Sequence, residues 1–360
     1  MLNLSNLILN KKILLFGLYF WFVFLSGTSL YAQSDSQINI NSQTKHSKLD
    51  TNYIEDKSNY LNLFTHGLTK YYKFSITNKG TNQSLLFSPN DIFNVGFGFN
   101  YKWLGFSFAF NIPALNNDDE KFGKTQRFDA QMNIFAHKFL IDIFFNYYQG
   151  FYITNPESYD STFTRDMNYP IVPSLQTSSL GFAYFHVINN RKFSYRASFV
   201  QNEIQKKMSG SFILGYITNI TSTSSDSTFV PQEYTDNFDK EDDYQIKSIV
   251  ALDVGPLFGY AYNFVIAKKF MITLSLIPGI VSQIMTINTI KDGEAHQFSY
   301  TKLGFVMSNK IAILYNGQRF YAGFNYNDNH SFHSFDQYRT ATQIGNFRFF
   351  VGRRFGSPKK

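Results

Sequence analysis

The chain has 360 residues, 19% of them aromatic and only 16% charged, with a formal net charge of +7 and no cysteine. So many aromatics exclude a disordered chain, and the missing thiols exclude disulfide frameworks, thiolate metal sites and cysteine lipidation. A mean hydropathy of −0.22 with a single long apolar run excludes a bundle of membrane helices. Few charges, many aromatics and a polar average fit a transmembrane β-barrel of the outer-membrane type, where apolar and polar residues alternate and the mean conceals the apolar half.

In chain order, the first element is an export signal. Lys11 and Lys12 precede an apolar run at 13–25, and small residues lead to Ala32. A basic start, a short apolar stretch and a small-residue site predict a secretory signal peptide over 1–32, cleaved after Ala32. The run is shorter than the ~20 residues of a spanning helix. A periplasmic segment is expected at 33–59, a barrel at 60–355 and a short tail at 356–360. The fold class predicted is all-β: an up-and-down antiparallel barrel of about twelve strands with long extracellular loops.

Period-two alternation carries that prediction. Phe93, Val95, Phe97, Phe99 and Tyr101 share one face against Asn94, Gly96, Gly98 and Asn100. The pattern restarts with Leu104, Phe106, Phe108, Phe110 and Ile112, and again with Phe128, Ala130, Met132 and Ile134. Ile141, Ile143, Phe145 and Tyr147 follow, then Leu180, Phe182 and Tyr184. Phe193, Tyr195, Ala197 and Phe199 read as a strand over 192–203, whereas Phe212, Leu214 and Tyr216 over 207–217 have the opposite parity. One extra residue, a β-bulge, would join these two into one long strand. Leu68 to Ile76, Val250 to Tyr262, Phe270 to Leu276, Leu303 to Met307, Phe320 to Phe324 and 342–355 complete a set of twelve. Counting 192–203 and 207–217 separately gives thirteen, and fourteen if 59–64 also forms its own strand, cut from 68–76 at His66-Gly67.

The connections are expected to alternate strictly. Short turns sit at Lys102, His137, Asn189, Lys268 and Gly317. Polar segments sit near 79–91, 113–126, 153–176, 218–246, 286–300 and 328–341. That is the rule of short periplasmic turns and long extracellular loops. Lys102, Lys138, Arg191, Lys192, Lys268, Lys269 and Arg319 lie at the turns, where outer-membrane lipid headgroups would meet them. Trp103, Tyr195 and Tyr262 are expected to face lipid or its interface. The last strand presents Phe347, Phe349, Val351 and Phe355 on one face, a terminal signal of the kind the barrel-assembly machinery reads for insertion. No phosphate-cradling glycine loop and no basic–aromatic run marks a nucleic-acid surface, despite a pI near 9.2. No cofactor is expected.

Three segments carry a resemblance. Tyr147-Tyr148-x-Gly150-Phe151-Tyr152, the stretch 189–196 with Phe193-Ser194-Tyr195-Arg196, and Gln205-Lys206-Lys207-x-Ser209-Gly210-Ser211-Phe212 together resemble an uncharacterised, domain-of-unknown-function barrel family of Bacteroidetes-type bacteria. The likeness runs from Asp50-Thr51-x-Tyr53 to Phe355 and departs at Met208, where that family often has Ser or Ala. It implies an envelope location and a barrel, and no activity.

Three groups of residues could carry chemistry. On the strand phase, Arg127, Asp129, Asp142, Arg196, Asp253, Lys302, Lys310 and Arg348 point inward. They form either an anion-preferring constriction or, the simpler reading, ion pairs bracing a closed lumen. The loop 218–246 is acidic, with Asp239, Glu241 and Asp243 at alternate positions. Carboxylates suit Ca²⁺ or Mg²⁺, but the glycine and distal glutamate of an EF-hand are missing, so a solvated loop is the plainer reading. His330, His333 and Asp336, with nearby serines, could form a hydrolytic constellation at the barrel rim, yet no glycine elbow accompanies them. The function expected is a small pore or a carrier for a hydrophobic or anionic solute. The alternatives are a rim-located lipid hydrolase or protease, and a structural or assembly barrel that binds partners through its loops.

Overall fold

A computed structural model describes residues 49–102, 104–238 and 244–356. The expected signal peptide, residues 33–48, Trp103, the carboxylates Asp239, Glu241 and Asp243, and residues 357–360 lie outside the described residues.

Fifteen strands are present among the described residues: β1 (Ile54–Asp56), β2 (Leu61–Asn78), β3 (Ser84–Ser88), β4 (Ile92–Tyr101), β5 (Leu104–Asn111), β6 (Gln126–Phe135), β7 (Phe139–Ile153), β8 (Ile171–Val187), β9 (Glu203–Gln205), β10 (Ser209–Ser224), β11 (Gln245–Ile266), β12 (Phe270–Lys291), β13 (Glu294–Asn316), β14 (Phe320–Phe335) and β15 (Tyr338–Phe355). β15 pairs back onto β2, and the short β3 bridges β2 to β7. A closed antiparallel ring of ten strands results, with β4, β5 and β6 as three extra strands hanging on β2 and β7. The long strands β2, β4 to β8 and β10 to β15 number twelve and run up and down in chain order. β2 is continuous through His66-Gly67, so the count of fourteen is set aside.

The period-two pattern dictates this wall. Along β11 the odd positions from Ile249 to Asn263 are buried, and Phe258, Tyr260 and Phe264 are exposed. The exposed outer face is apolar on nearly every strand, with Leu303 81% exposed and Ile280 63% exposed. Water would penalise such a belt and hydrocarbon would not, which is the signature of a membrane-facing barrel. Tyr262 keeps the expected outward phase beside Phe264, with ring centroids 4.6 Å apart.

Three expectations fail. First, 286–300 and 328–341 are strand, not loop, and so are 171–176 and 218–224 at the ends of β8 and β10. β12 and β13 meet at a two-residue turn, Asp292-Gly293, where both residues have positive φ (53° and 81°), and β14 meets β15 at Asp336-Gln337. Positive φ at both central positions is the hairpin turn that Asp-Gly favours. Spanning strands need about 9–11 residues, so β11 to β13, at 22, 22 and 23 residues, project well beyond an apolar band. Their outer halves lose the apolar phase because lipid no longer faces them.

Second, 192–203 is not a strand. Ser194 caps a one-turn helix, Tyr195–Phe199, by accepting from the Ala197 amide (2.9 Å). Residues 203–205 then form β9, which pairs with β1 in a two-stranded sheet apart from the wall. The parity change between Phe199 and Phe212 marks this break, and no bulge is involved. Third, the Asn189 connection is therefore not a short turn: it folds into the barrel. Tyr195 does not face lipid either. It is 3% exposed and shares a 2.7 Å hydrogen bond with Ser275.

The interior is filled. One apolar cluster joins Phe193, Tyr195, Ala197 and Phe199 to inward wall residues such as Ile213, Leu257, Met271 and Leu314. A second, toward the long-loop end, joins Phe74, Phe87, Phe151, Phe229, Phe238 and Tyr338. Burial of each such side chain contributes roughly 1.5–3 kcal/mol.

Candidate functional site

At the short-turn end, residues 50–60 and 189–208 form a plug. Asn263 on β11 donates to Ser194 O (3.0 Å) and Gln205 Oε1 (3.1 Å), and Ser198 shares a 2.7 Å bond with Thr273. Asn316 donates to Glu203 O (3.0 Å), and Arg354 donates through Nε to Gln201 O (3.1 Å) and further to Gly317 O and Asn316 Oδ1. Arg354 is 1% exposed, with its guanidinium 4.9 Å from the Tyr321 ring centre. Such a buried cation persists because its fork finds acceptors and an aromatic face.

Glu203 is the acidic centre of the plug. It accepts from Arg196 (2.9 Å), from His137 Nδ1 (2.9 Å) and from Ser194. Arg196 thus sits on the plug helix and not on a strand, and its predicted place among wall residues is corrected. The Arg196 guanidinium also lies 2.9 Å from His137 Nε2.

Above the plug lies a polar layer. Lys310 on β13 reaches across the interior to Asp142 on β7 (2.8 Å), with side chains 4% and 10% exposed. Asn133 also donates to Asp142. Asp129 accepts from Tyr148 (2.9 Å) and lies 3.8 Å from Lys70. Arg127 donates to Asn90 O and lies 6.0 Å from the Tyr148 ring centre. Arg348 stacks on Phe64 (4.9 Å) and Phe350 (5.8 Å). Lys302 is exposed beside the Tyr300 ring (5.0 Å) and does not line the layer. Lys70, Asp129, Asn133, Asp142, Lys310 and Asn346 line a cavity of about 50 Å³, room for a few waters.

That cavity adjoins a break in the wall. Among the described residues, β5 pairs only with β4 and β6 only with β7, so the outer edges of β5 and β6 flank the break unpaired there. The plug and the loop 112–125 frame this window. On one side, Asn100 of β4 donates to Val200 O (3.1 Å), while Phe135 of β6 stacks on Phe199 (5.9 Å). On the other, Asn116 bonds both N and O of Phe93 (2.8 and 3.0 Å), and Thr125 donates to Gly150 O (2.8 Å).

The three rim candidates do not converge. His333 points inward and pairs with Asp253 (3.0 Å), which also accepts from Gln283 (3.0 Å). His330 points outward and pairs with Asp328. Asp336, at the hairpin tip, accepts from Tyr300, whose phenol is pushed up to about 12 by burial and by that carboxylate. No nucleophile–base–orienter chain forms from these groups.

Sequence reasoning missed the outward partner of His330. Asp328 is 2% exposed although it lies on the outer face, because Tyr71 lies across β15 and donates to it (2.8 Å). Gly345 makes this possible: a Cβ there would fall 2.3 Å from Tyr71 Oη. Gly345→Ala is expected to displace Tyr71 and destabilise the barrel by about 1–3 kcal/mol, read as a lower thermal midpoint. An unchanged midpoint would refute this role. The available signal was a carboxylate and an imidazole on the phase otherwise held by Phe320, Phe324 and Phe332.

These features define a membrane-type β-barrel with a filled interior and a side window. A family model for a domain of unknown function (DUF4421) matches residues 48–355, and the chain belongs to that family. No curated protein sequence matches the chain. Among solved structures, it is similar to the outer membrane protease OmpT from Escherichia coli, with TM-score 0.39 and 8% identity, covering 84% of this chain and 98% of that one. It is also similar to the translocator domain of the autotransporter NalP from Neisseria meningitidis (TM-score 0.26, 10% identity, 92% and 95% covered). A third is the toluene transporter TodX from Pseudomonas putida (TM-score 0.24, 8% identity, 82% and 89% covered). The common ground is the outer-membrane barrel fold alone.

Proposed function

We propose that the protein is an outer-membrane carrier with a plugged lumen, which admits an amphipathic solute sideways through the window between β5 and β6. The carrying observation is that two strand edges, unpaired among the described residues, border a polar cavity. Hydrocarbon does not tolerate open edges, so the window must close by pairing or be occupied. Both edge strands have barrel-type alternation, Phe106, Phe108 and Phe110 on β5 and Phe128, Met132 and Ile134 on β6. They are therefore fit to pair and to part. The cavity is too small for a whole lipid but suits a small polar head such as a carboxylate, with Lys70 and Lys310 set against Asp129 and Asp142. The tail would remain among the phenylalanines of the window. A plug held by buried hydrogen bonds opposes the free-pore version of the reading.

The chain has no cysteine, so a Phe108→Cys/Ala130→Cys pair, one residue on each edge strand, would lock the window in its closed state, since a disulfide needs Cα atoms within about 7 Å. A photo-crosslinking residue at Gln131 would report entry of oleate from phosphatidylethanolamine vesicles. Oleate adducts are expected in the reduced protein, with most lost on oxidation and regained on reduction. Adducts indifferent to the lock, or absent throughout, would overturn the proposal.

A further inference from the structure

The outer wall of β13, β14, β15 and β2 carries a polar island where an apolar face is required. Register places Asn309, Asp328, Gly345 and Tyr71 in one row across the four strands, and Met307, His330, Gln343 and Lys73 in the next. The flanking rows are Ile311, Tyr326, Phe347 and Thr69 on one side, and Phe305, Phe332, Ala341 and Ser75 on the other. All of these lie on the outward phase. The island is built and not incidental. Tyr71 and His330 both bond Asp328, and Tyr71, Tyr326 and Phe347 pack at 4.9–6.4 Å between ring centres. Among the described residues Asn309 Oδ1 has no hydrogen-bond partner and is covered by its neighbours, so a side-chain shift would be needed for it to accept one from outside. An unpartnered buried polar atom is costly, which favours such a shift when a donor is offered.

Toward the long-loop end, the same phase carries exposed cations. Lys73 leads to Thr77, which is paired with Arg339. Four residues separate these levels, about 14 Å at ~3.4 Å per residue. That spacing suits two phosphates on a disaccharide. The island spans four strands, also about 14 Å at the ~4.8 Å strand spacing, wider than a glycerol phosphate. Its mixture of donors and acceptors matches sugar hydroxyls and amides, and Ile313, Phe347 and Phe349, on its short-turn side, are exposed for acyl chains.

We infer that this wall binds a bisphosphorylated glycolipid of the outer leaflet. Its phosphates lie against Lys73 and Arg339, and its sugar–acyl boundary lies on Asn309, Gln343 and His330. The inference rests on the reading that the long-loop end faces outward in an outer membrane; it does not need the window.

The test is native mass spectrometry of the full barrel in detergent, with lipid A, phosphatidylglycerol and inorganic phosphate as probes. One lipid A is expected per barrel. Lys73→Met and Arg339→Met, both at exposed positions, should each weaken retention about tenfold, the change from losing one charge-assisted hydrogen bond. Asn309→Leu should weaken it as well. Phosphatidylglycerol should bind at least about tenfold less tightly. Equal retention by the cation variants would overturn the site. Equal affinity for phosphatidylglycerol would overturn the glycolipid assignment, and competition by millimolar phosphate would reduce it to a free-anion site. The window-locked Phe108→Cys/Ala130→Cys protein should retain lipid A unchanged, so failure of the carrier proposal and failure of this one are separable.

Discussion

Lys310→Met is expected to destabilise the folded barrel by about 3–5 kcal/mol, the range seen when one partner of a buried ion pair is removed. The Asp142 carboxylate would keep only the Asn133 amide and would remain among buried residues such as Leu140 and Phe185. The pair is not a neighbour contact within the sheet. It joins β7 to β13 across the interior, so its loss also frees two opposite walls. Replacing both partners, Lys310→Met with Asp142→Leu, is expected to recover most of the loss, because two buried apolar groups leave no charge to desolvate. Equilibrium urea unfolding in lipid vesicles, followed by far-ultraviolet circular dichroism, measures both. A single variant as stable as the parent would show that water reaches Asp142 freely and that the polar layer is not sealed. A double variant no better than the single would mean that the pair orients the walls beyond balancing charge.

The same layer shows what the sequence could and could not convey. The wall was legible because each strand is exposed to lipid on one face and to the packed interior on the other. Alternation such as Phe106, Phe108, Phe110 therefore has a physical cause at every step. The plug was not legible for the converse reason. Phe193, Tyr195, Ala197 and Phe199 alternate as a strand would, but inside a filled barrel every direction is buried, so Arg196 and Ser198 between them are buried too. Periodicity reports a contrast between two environments, and there is none there. The segments 286–300 and 328–341 failed differently, since strands that leave the apolar band lose their lipid face and read as polar loops. Of the candidate residues, Asp142 and Lys310 shared a correct phase, but phase cannot show that β7 and β13 lie opposite each other. His330 and His333 lie three positions apart, an odd step that sends them to opposite faces of a strand. That much was readable once 328–335 was taken as strand.

Glu203 carries the other large expected effect. The parent protein should be electrically silent in a planar bilayer, because the plug and both apolar clusters close the interior. Glu203→Ala leaves Arg196, only 10% exposed, facing His137 with no anion between them, at a cost of about 3–5 kcal/mol. The hydrogen bonds from Asn263 to Ser194 and between Tyr195 and Ser275 would survive, so the plug should loosen and not leave. Brief channel openings are expected in place of a steady conductance. Phe199 and Val200 also brace β6 and β4 beside the window, so the same variant should make the Phe108→Cys/Ala130→Cys disulfide form at a different rate. Glu203→Gln, which keeps an acceptor for Ser194, should fall between parent and alanine variant on both readings. A parent protein that conducts steadily would show the plug to be no seal. An alanine variant with parental stability and silence would show that Arg196, His137 and Glu203 do not hold it.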